Sequence, residues 1–528
     1  MVFQSLRTSL VDNLSELLAK HVDQHADRIA LATSDLSTVI SYRQLDTLVK
    51  AAMAQLWSLG LRKGNTVALV SDNCVEFVVG LLAGLSSGAR LAPLNPALTL
   101  PQLSKSFSTL AAHAVLFPQH HAEKLELPGS CPGCPIPWVI SVNGSGDASS
   151  VSISRVNAPA PASSVETAVP IVKREDVALL MFTAGSTSEP KAVPLTHGNM
   201  VESIRTIACV YHLSPQDATL IVMPLFHGHG LIAGLLATLE SGGVAYLPST
   251  GVFSAHSFWP DMIRVNATWY TAVPTIHRIL VNRAPHEYLG PAPSLRFIRS
   301  CSAPLDEELA MDIAHAFGVP VIAAYGMTET CHQTTSNPLP QYGSNKTSSV
   351  GLPSGIEIRI VGADGTNPGI DGVGEIWVRG ATLTSGYLNN PAANAESFVH
   401  GWFRTGDLGS RDIDGYLYLR GRLKEIINRG GEKISPSDID ATLLSNPDVL
   451  EAASFGEPDP IYGENVQAAV VLRPGATATE SQLQDYCRAK LGRFEVPERI
   501  HIAADLPRTA KGSIDRRALA AQFSPPLK

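Results

Sequence analysis

The segment MFTAGSTSEPKAVPLTHGN (181–199) sets glycine, small hydroxyl residues and one lysine directly after an apolar, strand-like run. Such a loop can wrap backbone N–H groups and the hydroxyls of Thr183, Ser186, Thr187 and Ser188 around phosphate oxygens, while Lys191 supplies a positive charge. A bound polyphosphate is the chemistry this composition suits. The spacing G-x-x-x-x-G-K-[ST] does not occur, so a P-loop NTPase is excluded on spacing. Taken alone, the segment has a polar surface turn as its less favoured alternative.

The elements that position this loop belong to an α/β pattern. NTVALVS (65–71) reads as a buried strand and VEFVVGLLAGL (75–85) as an apolar helix. Further strands are expected at VALLMF (177–182), ATLIVM (218–223), GVAYLP (243–248) and VIAAYG (321–326). Residues 129–164 are rich in Ser, Pro, Ala and Gly and read as an exposed connection. From Ile356 to Leu419, EIRIVG, GEIWVRG and GYLYLRGR are separated by Asp-Gly pairs, which marks a smaller β-rich subdomain. The remainder returns to mixed α/β, with a Ser-Pro helix entry at SPSDIDATLLSN (435–446).

The 528 residues, 45% hydrophobic and 17% charged, suit a soluble globular protein of two or more domains. A net charge of −8 provides no field for polyanions, so no nucleic-acid partner is expected. No apolar run approaches the roughly 18 residues of a membrane span, and the first thirty residues lack a secretory pattern. Seven scattered cysteines argue against a disulfide framework, and Cys131-Pro-Gly-Cys134 reads as a loop because no second Cys or His pair stands at zinc spacing. A cytoplasmic location is expected, since Pro526-Leu527-Lys528 is unlike the Ser-Lys-Leu peroxisomal address.

Six segments decide the class by their order: TAGSTSEPKAVPLTH, PLFHGHG, SCSAPL, YGMTET, GWFRTGDLG and YLRGRLKEIINRGGEKISP. Together they resemble the adenylate-forming superfamily of acyl-CoA synthetases, luciferases and peptide-synthetase adenylation domains, over nearly the whole chain. FIRSCSAPL, MTETCH with SNPLP, and INRGGEKISPSDIDA with NPDV are most similar to the oxalate–CoA ligases. The resemblance implies a large N-terminal AMP-binding domain, residues 1–420, which includes the β-rich subdomain. It also implies a small mobile α/β lid domain, residues 421–528, that rotates between two poses.

The resemblance also implies the site. Thr183 through Lys191 would hold the β- and γ-phosphates of ATP, Tyr325 would flank adenine, and the backbone of Ser302, Ala303 and Pro304 would line the base. Thr328 would contact the α-phosphate, and Glu329 would help to hold Mg²⁺, a hard cation that prefers oxygen ligands. Asp407 would accept both ribose hydroxyls, and Arg422 would approach ribose and phosphate. Lys424 would mark the hinge. Gly430 and Gly431 would line the path of coenzyme A, Gly431 because no Cβ obstructs the pantetheine. His227, Ser302 and His332 would converge on the carboxylic acid substrate, and two histidines with a serine favour a small polar acid or dicarboxylate over a fatty one. His229 and His332 could instead be loop caps, and a metal at His227 and His229 lacks a third ligand.

Three departures from the family pattern stand out. Ser513 occupies the position where relatives carry a lysine that bridges the acid and the α-phosphate. Losing such a donor costs about 3 kcal/mol. Lys511, two residues earlier and on the same side of an extended chain, is the candidate replacement. Ala184 and Ala192 replace a common Ser and Gly, and Ala192 would be strained if its position needed φ > 0.

The expected activity is an acid–CoA ligase working through acyl-AMP. An adenylating enzyme that passes the acyl group to an amine or a carrier is one alternative, and a degenerate nucleotide-binding protein is another. A hydrolase reading from Gly84-Leu-Ser86-Ser-Gly88 is weak, because the run ends an apolar helix rather than a strand-to-helix elbow.

Overall fold

The computed structural model describes residues 12–122, 135–144, 148–156, 171–183, 190–287, 294–508 and 514–523. Two large sheets, mostly parallel, form the N-terminal part. One has nine strands, in which Ala218–Leu220, Trp269–Ala272, Phe297–Ser300 and Val321–Tyr325 run side by side. The other has seven, with Ala114–Pro118, Thr66–Val70, Arg90–Leu94 and Val177–Phe182 adjacent in that order. Sheets covered on both faces need strands that are apolar throughout. Thr66–Val70, Ala114–Pro118 and Val321–Tyr325 are accordingly buried at every position.

Helices start where side chains satisfy their free N–H groups. Ser41 caps Tyr42–Ser58 in a reciprocal box with Gln44, and Thr196 caps His197–Val210 with Asn199. Val75–Ser86 is apolar on all sides and is buried almost throughout. Ser86 is its last residue, and Ser87 Oγ donates to the Ala83 carbonyl at 2.8 Å. The serine therefore lies on a helix end, and no nucleophile elbow forms there.

Ile356–Val361, Gly374–Gly380, Phe398–Val399, Trp402–Arg411 and Leu417–Arg422 make the expected β subdomain. Gly365 (φ +82°) and Gly415 (φ +87°) supply the left-handed positions of its Asp-Gly turns. A further sheet holds Glu432–Ile434, Ile427–Arg429, Gly463–Leu472, Val449–Asp459 and Arg499–Ile502. Its own core includes Ile427, Ile439, Leu443, Val466 and Leu483. The helix at 436–444 begins at Pro436 as expected, but Ser435 turns its hydroxyl to the Arg420 carbonyl (2.6 Å) instead of capping it. No helix among the described residues is long and apolar enough to cross a membrane.

One expectation is corrected. Residues 129–164 are not merely an exposed connection: Ile136–Asn143 pairs parallel with Ala114–Pro118, and Ser150–Arg155 pairs antiparallel with it. Trp138 is fully buried there, with Ile140, Val139 and Ile153 close to it in exposure. The Pro, Ser and Gly around IPWVISVN diluted its apolar signal over the window. Cys131 and Cys134 lie outside the described residues.

Candidate active site

The C-terminal ends of the parallel strands Phe297–Ser300 and Val321–Tyr325 carry the candidate site, as expected for a sheet of this kind. Val321–Tyr325 delivers Tyr325, and the chain then folds back on itself. His332 N–H donates to the Met327 carbonyl at 2.9 Å, and Thr334 N–H to the Tyr325 carbonyl at 2.8 Å. Gly326 permits this return, since a Cβ there would stand 1.4 Å from the His332 carbonyl oxygen.

Tyr325 Oη donates to Asp407 Oδ2 at 2.6 Å, and Arg422 Nε lies 3.1 Å from Asp407 Oδ1. Asp407 and Arg422 oppose each other in the antiparallel pairing of Trp402–Arg411 with Leu417–Arg422. Burial pushes the Asp407 carboxyl up from its ordinary value, against the pull of Arg422 and the Tyr325 hydroxyl. Burial and the neighbouring carboxylate hold the Tyr325 phenol well above its usual range. Glu329 follows Thr328 in a short 3-10 turn. It is buried and accepts a hydrogen bond from Tyr387 Oη at Oε1 (2.8 Å). Lys191 Nζ stands 4.5 Å over the ring of the same Tyr387 whose hydroxyl reaches Glu329. Thr183 and Lys191 close the neck of that loop through Thr183 N–H to the Lys191 carbonyl (2.9 Å) and Lys191 N–H to Thr183 Oγ1 (3.1 Å).

The residues expected to meet the acid form part of a larger cluster that the motif reading covered only in part. Ser302 Oγ lies 3.1 Å from His229 Nδ1, and the His229 and His332 rings stack at 4.8 Å. Behind them is Arg299, fully buried in the strand Phe297–Ser300. Its Nη1 is 3.0 Å from Thr271 Oγ1, 3.2 Å from His332 Nε2 and 3.4 Å from His229 Nε2. Register explains the first contact, since Thr271 and Arg299 are paired across adjacent strands. Burial, with His332 and Arg299 nearby, holds His229 well below the usual imidazole range, so its ring is neutral. Ser302 (φ +72°), Cys331 (φ +51°) and His332 (φ +78°) all take left-handed backbone that costs non-glycine residues energy. Such strain concentrates at working sites.

Arg299 is thus the member of the cluster that sequence reasoning missed, and His229 is the one it left between a loop cap and a metal ligand. A charged residue within the short buried strand Phe297–Ser300 was the available signal. His227 is half-buried with its ring against Phe226 (4.6 Å) and belongs to the turn before the π-helix His229–Leu236. A metal at His227 and His229 gains no support, because both His229 ring nitrogens engage hydroxyls, of Thr271 and Ser302. Asp72, His120 and His121 gather three potential ligand atoms within 4.8 Å, at the ends of strands of the other sheet.

Ala303 is half-buried and Pro304 exposed, both following Ser302. Ala192 carries no strain: it opens the strand Ala192–Thr196, pairs with Phe182 and has no positive φ. Lys424 sits in the single turn Leu423–Glu425, its Nζ 4.0 Å from Glu396. Gly430 (φ +59°) and Gly431 (φ +94°) need glycine for their backbone, and a Cβ on Gly431 would meet nothing within 4 Å. Ser186, Thr187, Ser188, Lys511 and Ser513, with Ala184, lie outside the described residues.

A doubly layered α/β body with a phosphate-type loop, a buried carboxylate beside a tyrosine and a smaller C-terminal unit defines an adenylate-forming enzyme. The chain belongs to the AMP-binding enzyme family: residues 18–388 match that family's model and residues 438–513 match the AMP-binding enzyme C-terminal domain. An oxalate–CoA ligase of Arabidopsis thaliana is 43% identical over 97% of this chain and 99% of its own length. A sulfoacetate–CoA ligase of Cupriavidus necator is 36% identical, covering 96% and 97%. The crystal structure of ATP-bound MatB from Rhodopseudomonas palustris superposes with a TM-score of 0.85 at 27% identity, over 97% of this chain and 99% of that one.

Proposed function

We propose that the chain is an ATP-dependent acid–CoA ligase that activates a small polar carboxylic acid, with a dicarboxylate as the leading candidate. In the first half-reaction the acid's carboxylate attacks the α-phosphorus of ATP, forming acyl-AMP and expelling pyrophosphate. In the second the CoA thiol, as its thiolate, attacks the acyl carbon and AMP leaves. The observation that carries this reading is the placement of two unlike sites on neighbouring strand ends. The Tyr325–Asp407–Arg422 set offers a carboxylate to ribose hydroxyls, and the Ser302–His229–His332 cluster offers polar donors to an acid.

The residues fit the groups the reaction needs. Lys191 and the hydroxyl-rich loop suit the β- and γ-phosphates, Thr328 the α-phosphate, and Tyr325 with Ser302–Pro304 the base. Glu329, a buried carboxylate with one oxygen engaged by Tyr387, is suited to Mg²⁺. That ion, when bound, neutralises phosphate charge. Residues 421–528 are proposed to turn as a lid about Lys424, supported by their separate core, and Gly430 and Gly431 to line the path of CoA. Lys511 is proposed to replace the lysine displaced by Ser513.

A cytoplasmic location belongs to the same proposal. It is supported by the five described cysteines, all free thiols, and cell fractionation tests it. Ser513 sustains a second reading, a nucleotide-binding protein that no longer adenylates.

Acid-dependent pyrophosphate release from ATP and Mg²⁺ separates the two. It is measured with and without CoA across oxalate, malonate, short fatty acids and aryl acids. Release with one small polar acid, accelerated by CoA, is the expected result. ATP binding without release for any acid would leave the binding protein.

A further inference from the structure

Arg299 is a buried cation with neutral partners only. Its hydrogen bonds run to Tyr211, Thr271, His229, His332 and Gln333, the Cys301 side chain lies against it as well, and among the described residues no carboxylate pairs with it. Guanidinium keeps its charge in proteins. A fully buried charge without a counter-ion is costly, and an anion brought nearby relieves that cost.

Arginine also fixes the tautomers around it, because it has five donors and no acceptor. His332 Nε2, 3.2 Å from Nη1, must accept, so the neutral ring carries its proton on Nδ1. The Thr271 hydroxyl accepts from Nη1 at 3.0 Å and therefore turns its own proton to His229 Nε2, 2.6 Å away. His229 then also carries its proton on Nδ1 and donates it to Ser302 Oγ at 3.1 Å. With its oxygen accepting, the Ser302 hydroxyl, on an exposed residue at the strand end, has its proton free to donate outward. A second buried donor, Gln333 Nε2, has no protein partner, while its Oε1 accepts from Arg299 and Tyr211. The left-handed backbone at Ser302 and His332 aims both side chains into this arrangement.

We infer that Arg299 is the specificity-determining positioning residue of the acid site. It locks His229, His332 and Ser302 as donors and supplies the single positive charge that selects an acid bearing a second negative group. This rests on the acid–CoA ligase reading. Arg299 acts through its neighbours and has no chemical role in the reacting bonds.

The test uses the full chain and measures pyrophosphate release with oxalate and with acetate, a two-carbon acid lacking the second charge. Where acetate is not turned over, its inhibition constant is measured instead. Wild type is assayed first: if no small polar acid supports release while ATP still binds, the ligase reading fails and this inference falls with it. Given turnover, Arg299→Gln is expected to raise the KM for oxalate at least tenfold, to leave the KM for ATP within about twofold, and to change acetate little. Arg299→Lys, which keeps the charge with fewer donors, is expected to recover part of the loss. Equal losses for oxalate, acetate and ATP, or an unchanged preference for oxalate over acetate, would overturn the inference. Should Arg299→Gln fail to fold, Thr271→Val removes the donor to His229 Nε2 together with one neutral acceptor of Arg299, leaving the guanidinium charge in place. It is expected to lower the oxalate preference about threefold, and no change would count against the relay.

Discussion

Tyr325 and Asp407 are joined by a 2.6 Å hydrogen bond that links the end of a core strand to the β subdomain. This contact holds the carboxylate in place before any nucleotide arrives. Asp407→Ala is expected to lower kcat/KM for ATP about a hundredfold, since two charge-assisted hydrogen bonds are lost. Tyr325→Phe removes one orienting donor and is expected to cost about tenfold. Steady-state kinetics with varied ATP check both, and unchanged ATP dependence in Asp407→Ala would remove the nucleotide assignment.

The raised Asp407 carboxyl sets a pH dependence. Burial keeps the proton on to a higher pH than its ordinary 3.8, and only the ionised form accepts two hydroxyl donors. If Asp407 holds the ribose as proposed, affinity for ATP is therefore expected to fall on acidification, beginning above the range of an ordinary aspartate. Arg422 favours the ionised form, so Arg422→Met is expected to move the acid limb of the ATP kcat/KM profile to still higher pH. A limb unmoved by that change would show that another group titrates.

Glu329→Gln keeps an acceptor for the Tyr387 hydroxyl and removes the negative charge. The Mg²⁺ concentration for half-maximal activity is expected to rise about tenfold while the melting temperature changes little. A Mg²⁺ titration of pyrophosphate release checks this, and an unchanged requirement would place the ion elsewhere.

Lys511 and Ser513 make opposite predictions. Lys511→Ala is expected to slow acyl-AMP formation on the order of a hundredfold, and Ser513→Lys to raise it in the Lys511→Ala background. Single-turnover acyl-AMP formation is the measurement, and an unaffected Lys511→Ala rate retires the displaced lysine.

Trp138 tests the strand that composition concealed. Its side chain is fully buried between sheet and helix, so Trp138→Ala is expected to destabilise the protein by about 3–5 kcal/mol. Denaturant unfolding measures this, and a loss below 1 kcal/mol would mean that the hairpin is peripheral.

The α/β alternation was legible because each core strand and helix keeps one local pattern. Thr66–Val70 and Val75–Ser86 are apolar enough to be recognised without neighbours. The strand at Ile136 was not, because flanking Pro and Gly mask eight residues whose burial depends on pairing with Ala114–Pro118. Motif order likewise singled out Tyr325, Asp407, Ser302 and His332 as candidates. Arg299 was only an odd charge in an apolar strand, and His229 a histidine with two plausible roles.

Residue types and their order were sufficient by themselves to determine the family and the class of reaction that goes with it. What the tertiary structure alone decided is which of the polar groups touch. Tyr325 and Asp407 are 82 residues apart, and Arg299 and His229 are 70 apart. Hydrogen-bond direction, tautomer and the cost of an unpaired buried charge arise only when the packing of separate sheets and helices brings such residues within hydrogen-bonding reach. No local pattern in the chain encodes that distance.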